Sequence, residues 1–446
     1  MKASSPYASL MRIFGSSVAD QAMLSGANLL IGLILIRYTS ETQYGYYVLA
    51  FNAMMLATTL QGTFINTPLV AMLPTMNDAT RGQWLGSLLH DQRRWAAGAA
   101  VVSIVVAGIA LFTGALPAEA GPICGAAIVL ILAALYREYY RGILIMLRRP
   151  HPVLAADAVY VVGLIAGGLL ASQSPLAATV ALLSAAVSAV IGGTLLRRVL
   201  GDAVDHSAAP GRLRDIARTG IWAAAGGVIY WLFNQGYSFL TVMTLDVNAV
   251  AAVAAARLLL MPVNLLVTGV QKQLMPMAAG WLHEHGARKT LMRLCAFSLA
   301  LGLGAAIYVV IAWVLRHWIF IDLMHKDFAK RDELLLLWSC IFLIMALREP
   351  IMLVSVMRQR FRILAATAGV CSLIALAASY VCMQAWGAPG APFGILIGEV
   401  AYFLVAIALA LVEVRRDARQ TANHDTRLPS AHTAPRALSS SGNDSP

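Results

Sequence analysis

Charge is scarce in this chain. Only 12% of its 446 residues are Asp, Glu, Lys or Arg, about half the roughly 25% of an ordinary soluble domain. So thin a charged skin excludes a water-soluble globule of 47.6 kDa, and with 59% of residues apolar the chain reads as an integral membrane protein. Paired cysteines are missing too: Cys124, Cys295, Cys340, Cys371 and Cys382 form no C-x-x-C pair and no metal-ligand spacing. That excludes a disulfide framework and a metal site, and leaves small packing residues. No G-x-x-x-x-G-K-S/T loop occurs, which argues against ATP hydrolysis by this chain. Nor does a small-residue cleavage pattern follow the first apolar stretch, which runs through Asp20 to Arg37, so that span is expected to stay. What the chain has in excess is basic residues, 33 against 22 acidic, for a net charge of +11. Nucleic acid is one reading of such an excess; placement along the chain decides it.

A crossing of a hydrocarbon core about 30 Å thick takes about 20 apolar residues. Twelve such stretches are present, near 16 to 37, 44 to 66, 95 to 115, 122 to 146, 153 to 172, 176 to 196, 220 to 243, 249 to 270, 293 to 315, 334 to 357, 363 to 383 and 391 to 412. With the N-terminus in the cytoplasm, 24 of the 33 basic residues fall on cytoplasmic segments, 4 outside and 5 within spans. The reverse orientation inverts that ratio, so both termini are expected to be cytoplasmic. The basic excess is then a matter of topology, with no nucleic-acid partner. The organisation predicted is a six-helix lobe over 1–196, a basic linker over 197–219 containing Pro210 and Gly211, a second lobe over 220–413 and a disordered cytoplasmic tail over 414–446. Residues 77 to 95 mix Trp84, Leu85, Leu88 and Leu89 with charges and predict a helix lying at the interface.

The two lobes match each other. At a shift of 211, Arg137, Glu138 and Met146 fall on Arg348, Glu349 and Met357; "LHD" at 89 to 91 answers "LHE" at 282 to 284. An even number of spans per half makes the repeats parallel, related by an axis along the membrane normal, with a path between them. The expected fold is an all-α membrane protein of twelve transmembrane helices in two parallel six-helix repeats around a central cavity.

Ionised groups inside a bilayer cost roughly 2.5 to 3.5 kcal/mol each at mid-depth and so face protein, water or ligand. The basic ones are Arg37, Arg137, Arg141, Arg257 and Arg348; the acidic ones are Asp20, Glu138, Asp157, Glu349 and Glu399. Arg137, Glu138, Arg141 and Asp157 form either an inner salt-bridge network or a substrate contact, and Arg348 with Glu349 the same. Arg257 has no acidic neighbour at helical spacing: either it pairs with Glu399 or it faces the cavity and meets an anion, and the cavity is favoured. Asp20, Asp157 and Glu399 are candidates for ion coupling or for polar packing. Pro262 and Pro350 interrupt the eighth and tenth spans and predict bends.

Several stretches resemble one family: "LIRYTSETQYGYYVLAF" at 35 to 51, "TPLVAMLP" at 67 to 74, "REYYRGILIMLRRP" at 137 to 150 and "LLLMPVNLLVTGVQKQLMP" at 258 to 276. They are similar to the lipid-linked oligosaccharide flippases of the Wzx type, in the multidrug/oligosaccharidyl-lipid/polysaccharide exporter superfamily. The resemblance spans about 14 to 413. It implies a non-enzymatic transporter of the bacterial inner membrane. Such a protein moves undecaprenyl-pyrophosphate-linked repeat units to the periplasmic leaflet for exopolysaccharide, capsule or O-antigen assembly. A basic cavity built from Arg37, Arg141, Arg257 and, less directly, Arg137 and Arg348 would meet the substrate. Implied partners are the lipid-linked substrate, membrane lipids and a polysaccharide polymerase with its export machinery; no cofactor is implied beyond a proton or sodium gradient. A multidrug exporter of the same superfamily and a peptidoglycan-precursor flippase are the nearest alternatives. A membrane polymerase or ligase is the alternative from another class; its large external loop is missing, since 316 to 333 is the longest here.

Overall fold

A computed structural model describes residues 6–425, and no strand occurs among them. The first lobe comprises α1 (Pro6–Tyr38), α2 (Glu41–Gln61), α3 (Thr67–Met72), α4 (Asp78–Phe112), α5 (Ala120–Met146), α6 (Pro150–Ala171) and α7 (Ala177–Leu200). The second comprises α8 (Leu213–Thr244), α9 (Val247–Leu258), α10 (Met261–Val314), α11 (Arg331–Met357), α12 (Phe361–Trp386) and α13 (Gly390–Asp425). A π-turn at Gly62–Asn66 joins α2 to α3, and together they make one crossing. Among the described residues, eleven helical stretches are long and apolar enough to span a membrane, so the chain is a multi-pass membrane protein.

The twelfth crossing is hidden in α10. At 54 residues a straight helix would reach about 81 Å at 1.5 Å per residue, well over twice the hydrocarbon thickness. Gly286 breaks it, with φ at +72°, a conformation that side-chained residues rarely adopt. The two halves then run antiparallel: the Tyr308 hydroxyl donates to the Leu259 carbonyl at 2.7 Å, and Gly304 lies against Leu266. Residues 261–285 continue α9 as the eighth crossing, and 287–314 form the ninth.

The lobes repeat in their packing. In the first, α5 and α6 pack on α7, and α1 packs on α6; in the second, α11 and α12 pack on α13, and α8 packs on α12. Those are the same pairs of crossings in each half, as parallel repeats require. The closest packing is between α12 and α13, where Gly390, Gly394 and Gly398 recur every fourth residue. A Cβ on Gly394 would lie 2.0 Å from the Ser379 nitrogen. Small residues at this spacing let membrane helices approach backbone to backbone. Gly394→Leu is therefore expected to destabilise the detergent-purified protein by about 1–3 kcal/mol, seen as a lower melting midpoint. Gly226→Leu, at a position with nothing within 4 Å, should leave it unchanged.

The turns at 72–78, 146–150, 200–213, 286 and 357–361 lie at one end of the bundle, called the basic end below; those at 38–41, 112–120, 171–177, 244–247, 314–331 and 386–390 lie at the far end. Three boundaries differ from expectation. Residues 78–95 are not a separate interfacial helix but the basic-end extension of the third crossing. Leu85, Leu88 and Leu89 are buried there against α5, with no proline to break the run into the membrane. The predicted linker shrinks to 201–212, and it is docked: the Asp91 carboxylate of α4 accepts from the Gly211 and Leu213 amides, both at 2.9 Å, so the first lobe caps the second lobe's first helix. The last helix runs on to Asp425, so 414–425 is helix; the remainder of the predicted tail lies outside the described residues. There Asp417 accepts from the Ala287 amide at 2.7 Å, capping the helix that restarts after Gly286.

Candidate functional site

Three of the five intramembrane arginines are neutralised. In the first lobe Arg137 bonds Asp157 and, at 2.7 Å, Glu138; Arg141 bonds Asp157 at 2.8 Å, Glu138 at 3.4 Å and Asp20. The Arg137 guanidinium also lies 4.0 Å over the Tyr160 ring. Asp157 is wholly buried. In the second lobe Arg348 bonds Glu399 at 3.1 Å and Glu349 at 3.0 Å, and lies 4.4 Å over Tyr402; the Gln271 amide donates to Glu349 at 2.7 Å. The repeat thus keeps a buried arginine between a carboxylate and a tyrosine one turn on. The carboxylate comes from the fifth crossing in one half and from the twelfth in the other, so no sequence shift aligns Asp157 with Glu399.

These networks carry different structural loads. Asp157 serves two guanidinia, so Asp157→Asn is expected to cost about 3–5 kcal/mol by stranding buried charge, read as lost membrane abundance and melting midpoint. Asp20→Asn should be far milder. It leaves Glu138 and Asp157 against Arg137 and Arg141, a balanced set.

Arg37 is not in the cavity. From the last turn of α1 it reaches the far end of the other lobe and donates to the Leu323 carbonyl at 2.8 Å, at the close of a π-turn over Trp318–Leu323. Beside it the Thr42 hydroxyl donates to Asn248 at 2.9 Å, and Gly45 is pressed on the Val247 carbonyl. The two lobes are shut against each other at this end.

Arg257, like Arg37, has no carboxylate partner among the described residues, but it lines the space between the lobes. It sits one residue before the end of α9, where Leu259 and Leu260 turn the chain and Pro262, lacking an N–H, opens α10. A cation near a helix C-terminus meets its carbonyl dipoles favourably. The guanidinium is held from the side: it donates to Gln235 Oε1 at 2.7 Å and lies 5.7 and 5.3 Å from the Tyr237 and Trp338 ring centroids. Its Nε is buried and has no partner among the described residues. Glu399 is not available to it, being paired to Arg348.

Two spaces meet at this residue. One, about 140 Å³, lies between the lobes and is lined by Asn28, Tyr44, Tyr47 and Asn52 from the first and by Gln235 and Tyr237 from the second. The other, about 150 Å³, runs into the second lobe past Tyr230, Trp231, Asn264 and Trp338 to Glu399. Arg257, Gln235, Met55 and Met261 line both. Each has room for a phosphate or a few waters, below the roughly 300–1,000 Å³ of ordinary ligand pockets, so the seam is contracted in this state. Sequence reasoning singled out Arg257. It missed Asn52, which binds the lobes together through Ser238 at 3.1 Å and the Trp231 indole at 3.0 Å, and it missed the Tyr237 and Trp338 cradle.

Neither a family model nor a characterised sequence matches the chain. Solved structures do. The MurJ lipid II flippase in an inward closed conformation superposes with a TM-score of 0.72 at 11% identity, over 88% of this chain and 86% of that one. A multidrug-resistance MATE-family transporter of the MOP superfamily, inward-facing, gives 0.69 at 13% identity over 90% and 96%. An outward-facing transporter of that family gives 0.55 at 12% over 92% and 96%. Over about nine-tenths of its length, this chain has the twelve-crossing, two-lobed fold of these MATE transporters and of the MurJ lipid II flippase.

Proposed function

We propose that the chain is a flippase that carries an undecaprenyl-pyrophosphate-linked oligosaccharide from the cytoplasmic to the periplasmic leaflet of the bacterial inner membrane, without covalent chemistry. One observation carries this reading: at the junction of the interlobe seam, Arg257 is the cavity-lining guanidinium left without a carboxylate among the described residues, its buried Nε unpartnered. A pyrophosphate cannot cross hydrocarbon unaided, and a guanidinium meets phosphate oxygens through paired charge-assisted hydrogen bonds. Amide and aromatic side chains around it, among them Asn52, Gln235 and Trp338, suit sugar hydroxyls and ring faces. The prenyl tail would stay in lipid while the head passes between the lobes, delivering repeat units to a polymerase and export machinery.

Coupling to a proton or sodium gradient belongs to the same proposal. The first-lobe network has three carboxylates against two guanidinia, and Asp20 Oδ1 is buried without a partner among the described residues. A proton or a sodium ion would balance it.

Orientation is tested by reporter fusions: after Ser174 and Val247 they should read as periplasmic, after Pro210 and Ala418 as cytoplasmic. Function is tested by following the lipid-linked intermediate in cells lacking the chain. It should accumulate on the cytoplasmic face and clear on complementation. Clearance of cationic drugs with no effect on lipid-linked sugar would overturn the reading in favour of multidrug export.

A further inference from the structure

Five arginines at the basic end have a carboxylate: Arg81 with Asp78, Arg212 with Asp215, Arg358 with Asp417, and both Arg360 and Arg416 with Glu413. Arg93, Arg197 and Arg198 have none among the described residues. They are also gathered together. The end of α7 and the 201–206 turn enclose a recess of about 460 Å³ lined by Thr194, Arg197, Arg198, Gly201 and His206. Arg93 is not part of that lining; it lies three residues beyond His90 on α4, the helix that holds the 201–206 turn. The charge bias of membrane topology puts arginines at this end, but it does not gather them in a recess without acids.

The recess is built in place. His90 Nε2 lies 2.8 Å from the His206 carbonyl and so fixes the turn to α4. Asp205, next in sequence, is turned to Ser207, whose amide and hydroxyl both donate to it at 2.9 and 2.6 Å; those bonds hold its carboxyl below the ordinary value. Burial, with the charges of Arg197 and Arg93, likewise holds the His206 imidazole below its ordinary value, the response of a site short of negative charge.

Its depth points to a lipid rather than a solute. Trp95, 72% exposed and two residues beyond Arg93, marks the headgroup level on α4. On α7, Val187, Val190 and Ile191 are exposed on the membrane side of the recess and offer a track for an acyl chain.

We propose that the phosphate of an anionic membrane lipid binds in this recess at the end of α7, with Arg197 and Arg198 as its ligands and Arg93 of α4 adding its charge beside them. The site lies apart from Arg257 and does not depend on what the chain transports.

Native mass spectrometry of the full chain in detergent tests it, with phosphatidylglycerol, phosphatidylethanolamine and inorganic phosphate as probes. Phosphatidylglycerol should be retained in preference to phosphatidylethanolamine, and inorganic phosphate should not bind at comparable concentration. Arg93→Gln with Arg197→Gln should weaken phosphatidylglycerol about tenfold or more, as loss of charge-assisted bonds implies. Arg288→Gln with Lys289→Gln, at the same end of the other lobe, should not. Retention unchanged in the first pair, or equally lowered in the second, overturns the site; phosphate binding as tightly as the lipid overturns the lipid assignment. All four positions are at the surface, and a melting curve confirms that each variant is folded.

Discussion

An Arg257→Ala chain is expected to reach the membrane at wild-type abundance and to export no polymer, with lipid-linked intermediate accumulating on the cytoplasmic side. The fold should survive because Arg257 satisfies no buried carboxylate. What it gives up is a hydrogen bond to Gln235, a long one of 3.4 Å to the Tyr237 hydroxyl, and two ring contacts, the latter worth about 0.5–1 kcal/mol each where water reaches them. The substrate loses much more. Hydrogen bonds to a charged group are worth about 1.5–3 kcal/mol, so two lost bonds to a pyrophosphate lower its occupancy roughly a hundredfold or more. Arg257→Lys should restore part of the activity, since a lysine supplies charge without the planar pair of donors. The contrasting variant is Arg348→Ala. It strands Glu349 and Glu399 beside each other in the second lobe, and its loss of export should come with loss of protein. Wild-type export by Arg257→Ala would remove the residue from the substrate path.

That contrast marks how far the sequence could be read. Twelve crossings, their order and the two-lobe repeat follow from runs of apolar residues, because the bilayer imposes one length on every span. The Arg137, Glu138, Arg141 and Asp157 network is legible for the same reason: these groups fall at one depth on two consecutive spans and have to be satisfied there. Rotation of each helix about its axis is not legible, since it depends on packing against distant neighbours. Depth alone places Arg257 and Glu399 together, but the turn of α13 on its glycine face delivers Glu399 to Arg348 instead. Arg37 fails for a related reason. Its position at the end of a span fits a cavity mouth as well as a rim, and only the π-turn at Trp318–Leu323, 281 or more residues away in sequence, decides between them. The fold-back at Gly286 has a signal in the sequence, a glycine in a polar stretch between two apolar runs, but the eighth crossing, expected to end near 270, runs on to 285.

The far end gives the other large effect. Gly45→Leu is expected to block transport by preventing this end from closing. A Cβ at Gly45 would stand 2.2 Å from the Val247 carbonyl oxygen and 2.8 Å from its Cγ2. Neither is the free tip of a flexible chain: the carbonyl belongs to the first turn of α9, which Asp246 caps through the Ala249 amide at 2.7 Å. The lobes have to separate to admit the side chain, and separation also breaks Thr42 from Asn248 and Arg37 from Leu323. Alternating access requires both ends to open and close in turn, so a wedge at one end shifts the population toward the state open there. The direction can be measured with spin labels on the two sides of this rim, at Glu41 and Asn248, in a chain freed of its cysteines. The distance should lengthen in Gly45→Leu and sharpen to a single population, while the wild-type chain shows the short distance of the closed rim. Arg37→Ala should move the same equilibrium less, since it deletes the bond to Leu323, of about 1.5–3 kcal/mol, and a long one of 3.5 Å to the Asp322 carbonyl, and adds no steric block. An unchanged short distance in Gly45→Leu would mean that the rim yields locally, and the contact between α2 and α9 would then not be a gate.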